Sequence, residues 1–367
     1  MIVQFTAPLL DHSGYGEASR NTLMAILSSG IKVTTKIASF TPDKLEVGRA
    51  GYLAKRLENK YKDYDINLIE LTPEHFPIFF EKGKYNIGYF FWEVLGADRK
   101  WVKWCNLMDE IWLPSPIFGE VFRKSGVRKP IKIVPSCMDM DVDKYIPFKL
   151  DVPRPKVIFY SIFQWTERKN PRVLLETYWK TFRGREDVIL MIKTYRNDFS
   201  SKEREAIRTD IRKWKKQLKA KDYPAVWLVL EDMTTGEIMR MHKGADVFVS
   251  AHRGEGWGYP QMAAMAFGNP IISTNFGGIH EYLPPRTGYL IDCKFSNIFN
   301  MEHILWYHPE QMWADVNTSA LGKAMIDAYQ DRKKREEIGS SGQNFVRKHF
   351  NYVAVGEQIR KLLNSKM

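Results

Sequence analysis

Cysteine is scarce in this chain: Cys105, Cys137 and Cys293 are the three in 367 residues, odd in number and far apart. Such spacing excludes a disulfide framework and a zinc site, and reads as the reduced thiols of a cytoplasmic protein. No run approaches the roughly 18 apolar residues of a membrane span. The opening MIVQFTAPLL has no basic stretch ahead of an apolar one, so no signal peptide is expected. Internal repeats and low-complexity tracts are missing as well, which excludes a solenoid.

Hydrophobic residues make up 44% of the chain and charged residues 27%, a globular balance. The length suits two domains of ordinary size. The net charge of +12 implies polyanionic company: nucleic acid, anionic lipid or phosphorylated ligands. Residues 1–150 hold 21 Lys+Arg against 18 Asp+Glu, and the rest hold 34 against 25, so the excess lies in the second half.

Apolar strand patterns at 2–6, 31–37, 66–71, 85–94, 110–114 and 131–135 alternate with helical ones, and the series resumes at 157–162, 188–194, 225–230, 247–249 and 271–273. Alternation of this kind predicts parallel α/β sheets. The Pro- and Lys-rich stretch 145–155 reads as the linker, giving domains 1–150 and 151–345 and a terminal helix within 346–367 that can cross back to the first domain.

The stretch 245–283, ADVFVSAHRGEGWGYPQMAAMAFGNPIISTNFGGIHEYL, organises the second half. A strand enters a glycine loop, a helix follows over about 261–267, and a second strand enters a second glycine loop that leads to Glu281. Ligands of parallel sheets sit beyond the carboxyl ends of the strands. Glycines let a backbone approach closely, and helix N-termini offer N–H groups to an anion. The chain opens on a related layout, a strand and then Asp11-His-Ser-Gly-Tyr-Gly-Glu-Ala-Ser-Arg20, in which Gly14 and Gly16 have phosphate-cradle spacing. Taken alone, a tight turn explains that spacing equally well. Arg20 is either a phosphate partner or a solvated helix residue. The third such place is Gln164-Trp-Thr-Glu-Arg168-Lys169-Asn170-Pro171, two cations at a helix start, a position the helix dipole disfavours unless an anion is bound.

Glu255-Gly-Trp-Gly-Tyr-Pro260, with Ala264-Met-Ala266, Gly268 and Pro270, resembles the family-4 retaining glycosyltransferases. The resemblance implies an α/β GT-B fold, two Rossmann-like domains facing across a cleft. It also implies transfer of a sugar from a nucleoside-diphosphate sugar, a UDP-sugar foremost, to an acceptor hydroxyl with retained configuration and no required metal or cofactor. It gives Arg168 and Lys169 the leaving diphosphate and Glu255 the sugar hydroxyls. Gly14 and Gly16 then face phosphate and sugar, Gly256, Trp257 and Gly258 offer backbone contacts, and Gly277 and Gly278 shape the floor of the site. Two departures stand out. The family has a second glutamate eight positions after the first, where this chain has Ala263, and its arginine falls at Gln164. The first departure leaves open a non-catalytic protein that binds sugar nucleotides.

Acceptor-side candidates are Glu93, after the aromatic strand at 85–94, together with Ser115 and His252. Each has a plainer alternative: a helix-capping carboxylate, a helix N-cap and a structural histidine. Asp139, Asp141 and Asp143 lack the glycine and distal glutamate of a calcium loop and read as capping carboxylates. Trp101, Trp104, Cys105 and Met108 share one helix face that reads as core. In the helix predicted over 201–221, nine basic residues stand against three acidic ones, and Arg204, Arg208, Arg212 and Lys216 recur every fourth residue. That face either grips a phosphate backbone or an anionic membrane, or is simply solvated. The acceptor expected is a hydroxymethylated base in DNA, with a polysaccharide or glycolipid as the alternative.

Overall fold

The computed structural model describes residues 1–39, 48–148, 155–219 and 221–366. The expected linker 145–155 therefore lies partly outside the described residues. The chain forms two compact units. The first comprises residues 1–140, 305–311 and 347–367, and the second residues 141–304 and 312–346.

In the first unit, β1 (Ile2–Ala7), β2 (Lys32–Ile37), β3 (Ile66–Glu70), β4 (Tyr85–Tyr89), β5 (Glu110–Leu113) and β6 (Ile131–Ile133) make one parallel sheet in the order β2-β1-β3-β4-β5-β6. Its central strands are buried almost throughout, on both faces, so their buried positions do not alternate with exposed ones. The helices are α1 (Gly14–Ser28), α2 (Gly48–Leu57), α3 (Phe76–Phe79), α4 (Arg99–Cys105) and α5 (Pro116–Lys124). The strand expected over 85–94 stops at Tyr89 because its last residues leave the ladder. Phe90 and Trp92 pack instead against Trp101 and Phe122, and the Trp92 Nε1 donates to Gly96 O at 3.1 Å. Trp101 is buried in this cluster, which confirms the core reading of the α4 face.

In the second unit, β7 (Val157–Gln164), β8 (Val188–Tyr195), β9 (Ala225–Val229), β10 (Val247–Ser250), β11 (Ile271–Thr274) and β12 (Tyr289–Ile291) form a second parallel sheet, ordered β12-β11-β10-β7-β8-β9. A separate antiparallel hairpin, β13 (Cys293–Asn297) and β14 (Met312–Val316), falls where the sequence showed only aromatic and helical segments. The helices are α6 (Pro171–Thr181), α7 (Ser201–Leu218), α8 (Thr235–Gly244), α9 (Tyr259–Ala266), α10 (Thr318–Gln330) and α11 (Arg332–His349). Thr234 and Glu237 close a capping box on α8, and Ser200 and Asn317 cap α7 and α10 through their side chains.

The single terminal helix expected over 345–363 is two helices. The Asn351 side chain accepts from Ala354 N–H and so starts α12 (Tyr352–Asn364) anew after α11 ends. α12 lies on α1 in the first unit, so closely that a Cβ on Gly356 would stand 2.3 Å from Ala25 O. Residues 305–311, between the two hairpin strands, also belong to the first unit. There Tyr307 OH donates to Glu93 Oε2 at 2.9 Å, and His308 Nε2 lies 2.6 Å from Asp98 Oδ2.

Glu70 is one of the acids buried in the first unit. Glu70 ends β3 fully buried, with Oε1 accepting from Ser19 Oγ at 3.0 Å. Burial pushes its carboxyl up to about 8, against the opposing hydrogen bonds from Thr22 and Ser19. Below pH 4.5 folded and unfolded chains both carry the proton, so the site costs nothing. As pH rises toward about 8 only the unfolded chain releases it, and stability falls across that window. Glu70→Gln should therefore stabilise the fold by up to about 3 kcal/mol at pH 7 and hardly at all at pH 4.5. Thermal unfolding of both proteins across this range checks it, and a gap that does not vary with pH contradicts it.

Candidate functional site

The strand order of the second sheet reverses at β7, whose neighbours are β10 on one side and β8 on the other. Crevices for ligands open at such switch points, beyond the carboxyl ends of the strands. The loops after β7, β10 and β11 meet there. After β7 the chain makes a single 3-10 turn, Glu167–Lys169, and Asn170 takes a left-handed φ of 57° before α6 begins at Pro171. After β10 it runs through Ala251 to Gly258, whose φ of 93° turns the backbone into α9. After β11 comes Gly277, with φ 97°.

Direct contacts lock these loops together. Arg253 N–H donates to Arg168 O at 2.7 Å, and Arg168 Nη1 donates to Gly254 O at 2.8 Å. Lys169 Nζ forms an ion pair with Glu255 Oε2, and both side chains are mostly buried. Gly278 N–H donates to Glu255 O at 3.0 Å. A Cβ on Gly277 would lie 2.3 Å from Glu255 O, and one on Gly278 would lie 2.0 Å from Gly256 O. The two glycines are needed because the β11 loop rests directly on the backbone that carries Glu255.

The electrostatics follow from this packing. Burial alone would raise the Glu255 carboxyl, but Lys169, then Arg168, outweigh it and hold the group at about 2. Glu255 is therefore an anion at neutral pH: a hydrogen-bond acceptor, not an acid. His252 is fully buried, and desolvation presses its imidazole down to about 3 despite the nearby carboxylate. Its Nε2 meets Ser273 Oγ at 3.3 Å. The ring thus lies packed beneath the loops. Trp257 is buried against Tyr282, whose hydroxyl donates to the carbonyls of Trp257 and Gly258 at 2.8 and 3.1 Å.

Two residues that the sequence reading passed over complete the arrangement. Arg253 donates through Nε to Asp315 on β14 at 2.7 Å and through Nη1 to Glu167 Oε1 at 2.6 Å. Its guanidinium lies 4.8 Å from the Phe299 ring and 5.0 Å from that of Trp313, so it staples the hairpin to both loops. Gln261 Nε2 reaches Glu255 Oε2 at 3.4 Å and Ser250 Oγ at 3.3 Å, two positions before Ala263, which is itself buried on α9. Gln164 ends β7 with Nε2 donating to Arg196 O at 2.8 Å.

In the first unit, Gly16 N–H is taken by the N-cap Ser13 Oγ at 3.1 Å. A Cβ on Gly16 would lie 2.1 Å from Asp11 O, whereas Gly14 has open space around it. Only Gly14 thus keeps the form of a ligand-facing glycine. Arg20 Nη1 donates to Asp11 O at 2.6 Å and Leu9 O at 3.3 Å, bracing the same loop. Glu93 does not cap α4; Asp98 does, through Oδ1 to the N–H groups of Lys100 and Trp101. Ser115 stands at the N-cap position of α5, but its buried hydroxyl makes no cap bond and meets no partner among the described residues. Asp139, Asp141 and Asp143 are exposed, and among the described residues no cluster of three or more His, Cys, Asp or Glu is arranged to hold a metal ion.

Three of the four spaced cations of the basic helix meet carboxylates. Arg204 pairs with Glu231 at 3.7 Å, and Arg208 and Arg212 both pair with Glu205. Among the described residues no helix is long and apolar enough to cross a membrane.

The packing sets a sharp requirement on the glycines. Gly278→Ala should cost about 1–3 kcal/mol of stability, because the backbone at 256–257 has to move. Unchanged thermal stability would contradict the packing described.

Residues 143–307 match the glycosyl transferases group 1 family. A D-inositol 3-phosphate glycosyltransferase from Paenarthrobacter aurescens is 31% identical over 104 residues, which is 28% of this chain and 20% of that protein. The match thus spans about a fifth of that curated relative. Among solved structures, sucrose-phosphate synthase from Thermosynechococcus elongatus superposes with a TM-score of 0.72 at 15% identity, covering 100% of this chain and 98% of that one. HepE from Anabaena, in complex with UDP and glucose, gives 0.68 at 14% identity with 100% of both chains covered. Likeness at such identities is one of fold, and the fold is GT-B.

Proposed function

We propose, for a chain whose residues 143–307 belong to the glycosyl transferases group 1 family, that it moves a sugar from a nucleoside-diphosphate sugar to an acceptor hydroxyl. The observation that carries this reading is the Lys169–Glu255 pair at the switch point of the second sheet, where one buried cation and one buried anion lie side by side. A sugar nucleotide needs both, a cation for the diphosphate and an ionised carboxylate for sugar hydroxyls. A UDP-sugar is the proposed donor, in keeping with the UDP and glucose bound by HepE.

Lys169 and Arg168 stabilise the charge that grows on the diphosphate as the anomeric C–O bond breaks. Glu255 accepts hydrogen bonds from the sugar and fixes the anomeric carbon. The acceptor oxygen bonds to the anomeric carbon as the diphosphate departs, and the acceptor's proton passes to the leaving phosphate, so configuration is retained. This route suits a Glu255 that stays ionised and a His252 that is buried and neutral. No step uses a metal.

Ala263 favours a second reading, a protein that binds sugar nucleotides without turning them over, since the family's second glutamate is missing. The proposed DNA acceptor draws less support from α7 than its sequence suggests, because three of its four spaced cations already meet carboxylates.

UDP release from UDP-sugars, with mixed acceptors and mass detection of product, tests the proposal. Lys169→Ala should cut kcat by about 10²–10³-fold, with folding checked by circular dichroism. Wild-type kinetics in a folded variant would remove the diphosphate role from Lys169. Binding of UDP-sugars without any turnover would establish the second reading.

A further inference from the structure

The strand order of the first sheet also reverses, at β1, with β2 on one side and β3 on the other. By the same rule a ligand crevice opens past the carboxyl ends of β1 and β3. The segments that leave the carboxyl ends of β1, β3, β4, β5 and β6 are 8–13, 71–80, 90–98, 114–115 and 134–140. They contain Asp11, Glu74, Glu93, Asp98 and Asp139, and no lysine or arginine. The bases of this unit collect at the opposite end of the sheet, where Lys60, Lys62, Lys82, Lys84, Arg128 and Lys129 lie in the segments entering β3, β4 and β6. Those nearest in sequence are Arg20, engaged with two loop carbonyls, and Arg99 and Lys100, exposed at the start of α4.

The centre of the acidic end is Tyr15, between the two glycines of α1. Its hydroxyl oxygen accepts from Phe91 N–H at 3.0 Å, and among the described residues its own proton goes to no acceptor. Its ring packs edge-on against Phe91 at 5.3 Å, on the segment that leaves β4 and carries Glu93. Polar atoms there await partners. Glu70, fully buried, has Oε2 unpaired among the described residues, as do Oε2 of Glu74 and the hydroxyl of fully buried Ser115.

We infer that the acceptor of the proposed reaction is an uncharged polyhydroxyl compound, a saccharide or sugar alcohol, and not a phosphorylated sugar or DNA. The inference rests on the glycosyltransferase reading and deepens it. Carboxylates accept hydrogen bonds from vicinal hydroxyls, two oxygens to two O–H groups, and the Tyr15 phenol donates to a third oxygen. A phosphate set among Glu74 and Glu93 would meet like charge, and the segments that carry them hold no lysine or arginine. The chain's net positive charge does not alter this, because it resides elsewhere.

The test uses wild-type protein with UDP-glucose against methyl glucoside, maltose and glycerol, the phosphate monoester of each, and a duplex containing hydroxymethylcytosine. Water-dependent UDP release is measured in parallel without acceptor. Neutral acceptors should show kcat/KM at least tenfold above their phosphorylated counterparts and above the duplex. Phosphate esters or duplex matching them would overturn the inference while leaving donor turnover, and so the enzyme reading, intact. Neither hydrolysis nor transfer with any acceptor would remove the enzyme reading itself and the inference with it. Glu74→Lys and Glu93→Lys should each shift the neutral-to-phosphate preference ratio at least tenfold toward phosphate, and an unchanged ratio in folded variants also overturns it.

Discussion

The ion pair between Lys169 and Glu255 is the constraint on which the second unit's chemistry depends. Each partner sits mostly out of water, so neither charge is tolerable alone. Breaking such a pair normally costs more than the pair contributes to stability, which makes it weak evidence for a purely structural role. Its neighbours show what it demands. Arg168 is held by Gly254 O, Glu255 O receives Gly278 N–H, and Arg253 fastens the loops to β14. Three loops from three adjacent strands are thereby set to a fraction of an ångström around two opposite charges. A diphosphate that approaches Lys169 and a sugar that approaches Glu255 would each find a partner already oriented, which is the preorganisation that electrostatic catalysis requires.

Both sheets are parallel and six-stranded, with different strand orders, and their loops differ in charge. Both reverse strand order at their first strand, so both place loops beyond a switch point. In the second unit the loop after the first strand carries Arg168 and Lys169; in the first unit the corresponding loop carries Asp11 and His12 and no cation. A net charge of +12 therefore says little about either rim. Charge acts over roughly a Debye length of about 8 Å at physiological salt, so its placement matters more than its sum.

Much of the fold was legible because buried parallel strands are continuous apolar runs, and those at 247–249 and 271–273 lie wholly inside observed strands. The same signal misled at 90–94, where aromatic residues were buried for packing and not for pairing. The hairpin β13–β14 went unseen because Cys293–Asn297 and Met312–Val316 are half exposed and separated by a stretch with no turn signature. The break between α11 and α12 was written in Asn351, a good N-cap that helical periodicity on both sides masked. At the candidate site the motif residues Arg168, Lys169, Glu255, Gly277 and Gly278 do come together. Arg253 was within reach of the sequence, beside Glu255, but its partners Glu167 and Asp315 lie 86 and 62 positions away, and only folding joins them. The burial of His252 likewise depends on tertiary packing.

Hydrogen exchange measured with and without saturating UDP-sugar tests the central claim most directly. The account predicts slowed exchange confined in the second unit to the amides of 166–170, 253–259 and 276–279, the three loops that the ion pair and the two glycines bring together. Binding that protects other segments of that unit and leaves these three unchanged, or no binding of any UDP-sugar, would contradict it.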